Sequence, residues 1–70
     1  MSRPGTVKLD SLKAQRLSAG LSIPALAKKA NVSDLTIQTA ENGGNIDFAV
    51  GVSIAAALGI STATLGQRVL

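Results

Sequence analysis

Seventy residues allow one small domain, and a chain of this length buries only about 60% of the surface its unfolded form exposes. Cys and His are absent and the four acids, Asp10, Asp34, Glu41 and Asp47, form no paired-carboxylate spacing; no enzyme, metal site, cofactor or small-molecule ligand is expected. Seven Lys and Arg leave a net charge of +3, a mild bias toward a polyanionic partner, while Phe48 as the sole aromatic excludes base stacking on aromatic platforms.

In chain order, residues 1–7 read as a flexible arm, without the apolar stretch of a signal peptide, and a cytoplasmic protein is expected. A first helix is predicted over residues 8–19, with Leu9, Leu12 and Leu17 on one side and Gly20 at a left-handed stop. Ser22 offers an N-cap to a second helix over 23–30, with Pro24 in the first turn and Leu26, Ala27 and Ala30 inward. Asn31 can close it, because Asn is the commonest substitute for Gly at positive φ. Ser33 opens a third helix, with Asp34 in its first turn and Ile37 and Ala40 inward, and Asn42 with Gly43 ends it. Asp47 is expected to cap a fourth helix that runs through Leu58 to a stop at Gly59, and Ser61 starts a short fifth containing Leu65. Phe48, Ile54 and Leu58 are expected in the core; Leu65, Val69 and Leu70 form either a dimer seam or a cover for the bundle.

No strand pattern is read, and the expectation is an all-α domain over residues 8–70. Residues 48–66 carry no charge and approach the ~20 residues that span a bilayer, with Gly51, Ala55 and Gly59 as a ridge of small residues. Their Ser, Thr and Gly content and the stop at Gly59 favour two separate helices over a membrane span.

Helices two and three, joined by about three residues, give the helix-turn-helix pattern at about 23–42. Such a unit needs a small residue where the helices cross, supplied by Ala27, a residue that accepts the turn's backbone, supplied by Asn31, and apolar plugs, supplied by Val32 and Ile37. These residues, with Gly20-Leu21-Ser22, Leu26-Ala27, the run from Val32 to Ile37, Glu41-Asn42-Gly43 and Ala57 to Ser61, resemble the Cro/CI (XRE-type) helix-turn-helix family over most of the chain. The resemblance implies a compact five-helix, lambda-repressor-like domain. It also implies a transcriptional regulator, commonly a homodimer on a two-fold symmetric double-stranded DNA operator.

The resemblance places a recognition helix at about residues 33–42. Its outward positions Asp34, Leu35, Gln38 and Thr39 would read bases: Asp34 a cytosine amino group, Leu35 a thymine methyl, Gln38 an adenine edge, Thr39 a base or phosphate. The amides around Ser22 and Ile23 resemble the family's phosphate clamp, Ser33 is expected to bind phosphate as well, and Asn42, Gly44 and Asn45 lie where the following loop touches the DNA backbone. Ile23 stands where the family usually has Gln. Cations available to phosphate are Arg3, Lys8, Lys28 and Lys29, with Lys13 on the first helix; none lies on the reading face. Arg16 and Glu41 would form an ion pair between helices one and three, worth ~0–1 kcal/mol if exposed. The expected function is a Cro-like repressor; the alternative is a protein-interaction module on the same fold, an antitoxin or antirepressor.

Overall fold

Helix ends organise this chain. Four helices close with the same pair of backbone bonds, in which two consecutive amides turn back onto the last helical carbonyls. Gly20 and Leu21 donate to Leu17 and Arg16; Asn31 and Val32 to Lys28 and Ala27; Gly43 and Gly44 to Ala40 and Thr39; Gly59 and Ile60 to Ala56 and Ala55. The pattern requires positive φ at the first residue of each pair, and Asn31, at φ 60°, is the non-glycine residue that accepts it.

The computed structural model describes residues 5–69. The elements are β1 (Thr6–Leu9), α1 (Leu12–Ser18), α2 (Ile23–Ala30), α3 (Asp34–Glu41), β2 (Ile46–Asp47), α4 (Phe48–Leu58), α5 (Thr62–Leu65) and β3 (Gln67–Val69). Three helices start on a serine whose hydroxyl accepts an amide three residues on: Ser22 from Ala25, Ser33 from Thr36 and Ser61 from Thr64, each at 3.1 Å. No helix among the described residues is long and apolar enough to cross a membrane, because the uncharged stretch breaks at Gly59 into α4 and α5.

Five helices occur in the order the sequence predicts, but the domain is not all-α. A small antiparallel sheet of order β2-β1-β3 joins three distant parts of the chain, pairing Val7 with Ile46 and Val69, and Leu9 with Gln67. The first helix consequently begins at Leu12 rather than residue 8, and Thr6 and Val7, read as the end of an arm, lie in β1. The reason is alternation: Val7 and Leu9 are buried, Lys8 between them is not, and paired strands satisfy the backbone that a helix would otherwise have to.

Moving the helix start also turns its face. Leu12 and Arg16, four apart, point inward, while Leu17, expected inward, is 59% exposed. The core is Val7, Leu9, Leu12, Leu26, Ala27, Ala30, Ile37, Ala40, Ile46, Ile54, Ala55 and Leu65, with Phe48 and Leu58 half-buried against it. Of the residues expected either at a dimer seam or over the bundle, Leu65 is fully buried in the bundle; the side chain of Val69 and all of Leu70 lie outside what the structure describes. Asp47 occupies the N-cap position of α4 but its side chain makes no capping bond. There the chain enters from β2, Asp47 pairs with Thr6, and the Phe48 amide donates to the Gly5 carbonyl at 3.1 Å.

Candidate nucleic-acid interface

The helix-turn-helix unit is held rigidly from behind. Ala27, 1% exposed, lets α2 approach α3 closely, Asn31 supplies the left-handed turn, and Ile37 and Ala40 anchor α3 in the core. From the other end, Arg16 on α1 grips Glu41 on α3: Nε donates to Oε2 at 2.5 Å and Nη2 to Oε1 at 3.1 Å. Its Nη1 donates to the Leu21 carbonyl at 2.8 Å. Both side chains are more than nine-tenths buried, so the pair is not an exposed one. Donating to the Glu41 carboxylate raises the Arg16 pKa further above its already high value.

What α3 turns outward is mostly free of structural work. Asp34, Leu35, Gln38 and Asn42 are exposed, Leu35 by 70%, and they fall along one side of the helix at spacings of one, three and four residues. Thr39 is only half-exposed, because Gly44 packs on it. A Cβ built on Gly44 would stand 2.5 Å from Thr39 Cγ2 and 2.9 Å from the Thr39 carbonyl oxygen, and the Gly44 amide donates to that oxygen at 2.8 Å. Thr36, which no sequence motif singles out, shares a 2.8 Å hydroxyl bond with Ser33 at the start of α3. A groove of about 320 Å³ beside this face is lined by Leu35, Thr36, Thr39, Asn45, Asp47 and Val50, among others.

The expected phosphate contacts divide. At the start of α2, Ser22 is exposed, Pro24 has no N–H and the Ala25 amide is capped, leaving the Ile23 amide as the open first-turn donor. The Ile23 side chain itself packs against the core. At α3, the Ser33 hydroxyl is taken up with the Thr36 amide. Lys28 and Lys29 are exposed in the last turn of α2, and Asn42 and Asn45 are exposed around the half-exposed Gly44. Lys8 instead donates its ammonium to the Gly43 carbonyl, a bond across thirty-five positions that no local pattern foreshadows. Arg3 lies outside the described residues. The reading face carries one acid, Asp34, and no cation. Among the described residues no group of His, Cys, Asp and Glu could hold a metal ion.

A family model described as helix-turn-helix matches residues 12–65. No curated protein and no solved structure matches the chain.

Proposed function

Since the chain belongs to the Cro/CI-type helix-turn-helix family of DNA-binding transcription regulators, we propose that it is a sequence-specific, Cro-like repressor that lays α3 in the major groove of duplex DNA. The observation that carries this reading is the outward face of α3. Asp34, Leu35 and Gln38 are exposed and have no side-chain partner among the described residues, on a helix whose other face is anchored by Ile37, Ala40 and the buried ion pair. A side chain that reads a base edge must be free at its tip and fixed at its root. Leu35 suits a thymine methyl, Gln38 an adenine edge and Asp34 a cytosine amino group, while Thr39, half-covered by Gly44, reaches a base or phosphate at the margin. The Ile23 amide, Ser22, Ser33, Lys28, Lys29, Arg3, Asn42, Gly44 and Asn45 set the register on the backbone. With so few cations one protomer holds phosphate weakly, and the working form is a homodimer on a two-fold symmetric operator, in the cytoplasm, with no cofactor and no reaction.

One observation favours a second reading, a protein-docking module on the same fold. The face that would meet a polyanion presents Asp34 and a 70% exposed leucine without a cation. An amide NMR titration with duplex DNA at low and high salt separates the two. DNA binding predicts shifts at Ile23 and along residues 33–45 that weaken with salt, and a loss of about 1–3 kcal/mol in specific affinity for Leu35→Ala or Gln38→Ala with helical content intact. Silence at low salt would overturn it and leave the docking module.

A further inference from the structure

Of the four helices that share the same backbone closure, α3 alone lacks a side chain to fasten it. After α1, α2 and α4, the second residue of the closure is Leu21, Val32 or Ile60, and each packs against the core. After α3 it is Gly44. This helix also has no basic residue in its last turn, where a cation would complement the carbonyl end of the dipole, and Glu41 there is already engaged by Arg16.

Lys8 supplies both missing elements from elsewhere in the fold. Because Val7 and Leu9 face the core, the strand directs Lys8 away from it, and the pairing of Val7 with Ile46 sets β1 beside the segment that follows α3. Its ammonium donates to the Gly43 carbonyl, at the left-handed residue of the closure.

We infer that Lys8 is a positioning residue rather than a phosphate contact: it caps the C-terminal end of α3 from strand β1 and pins residues 42–45. The significance of that loop for DNA rests on the proposed function; the cap itself does not. An exposed cation at a helix C-terminus corresponds to roughly a threefold effect.

The test compares Lys8→Met, which keeps the aliphatic stem, with Lys8→Arg, which keeps a cationic donor. In the free protein, amide hydrogen exchange should quicken about threefold at Gly44 in Lys8→Met, with Ile37 unaffected, and recover in Lys8→Arg. Binding to the duplex selected by the wild type, measured across a salt series, should weaken about threefold in Lys8→Met with an unchanged slope of log K against log salt. A slope reduced by about one with Gly44 protection intact would make Lys8 a phosphate contact and overturn the inference. Equal acceleration at Gly44 and Ile37, or none at either, would overturn it as well. If the wild type binds no duplex, the DNA reading falls while exchange at Gly44 still decides the cap.

Discussion

At the scale of single residues, the pair of Arg16 and Glu41 concentrates most consequence in two side chains. A buried carboxylate without its partner is costly, whereas an exposed pair is worth little. Arg16→Met, which leaves Glu41 buried and unanswered, should cost about 3 kcal/mol in urea unfolding followed by far-ultraviolet circular dichroism. That is a large share of what a domain of this size possesses. Replacing both residues with apolar ones should recover part of the loss, and a single-variant cost below about 1 kcal/mol would mean the pair is solvated. The pH behaviour follows from the sign of the Arg16 shift. Its pKa is raised on folding, so its contribution is complete below the unfolded value, itself far above neutral, and is lost only as pH rises through the still higher folded one. The cation therefore stays charged at every pH used to handle the protein.

At the scale of elements, helix starts that look alike in sequence differ in what holds them. Ser33 accepts the Thr36 amide, while Asp47, equally suited by type, makes no capping bond where the chain enters from β2 and the Phe48 amide donates to the Gly5 carbonyl. Ser33→Ala should lower stability by about 1 kcal/mol, and Asp47→Ala by no more than about 0.5 kcal/mol, both read from thermal unfolding. Equal losses would show that Asp47 caps α4 in solution. The serine caps, the left-handed Gly20, Asn31, Gly43 and Gly59 and the inward Ile37 and Ala40 were legible beforehand, since each depends on neighbours within four residues. The outward set on α3 was legible for the same reason, apart from Thr39, which is covered by a loop that folds back over it.

For the molecule as a whole, β1 is the tie. It lies between β2 and β3, so the beginning, middle and end of the described chain meet in one sheet. Stopping the chain at Gly66 removes the partners of Val7, Lys8 and Leu9 and leaves the backbone along that edge of β1 unpaired. With each ladder hydrogen bond worth about 1 kcal/mol net, such a chain should melt about 10 °C lower while retaining its helices, as followed by circular dichroism. An unchanged melting temperature would show that β3 contributes nothing to the fold.

The amino-acid sequence alone determined the order of the five helices, their stops, the helix-turn-helix unit and which face of α3 is available to a partner. These rest on bonds and spacings within a turn or two of helix, which are written in adjacent residues. Tertiary structure alone decided the sheet, the burial of Leu65, the exposure of Leu17, the buried setting of Arg16 and Glu41, and the diversion of Lys8 to the end of α3. Four residues, Thr-Val-Lys-Leu, are too few to separate a period of two from one of 3.6. Their partners at residues 46–47 and 67–69 are brought to them only when the helices between have packed.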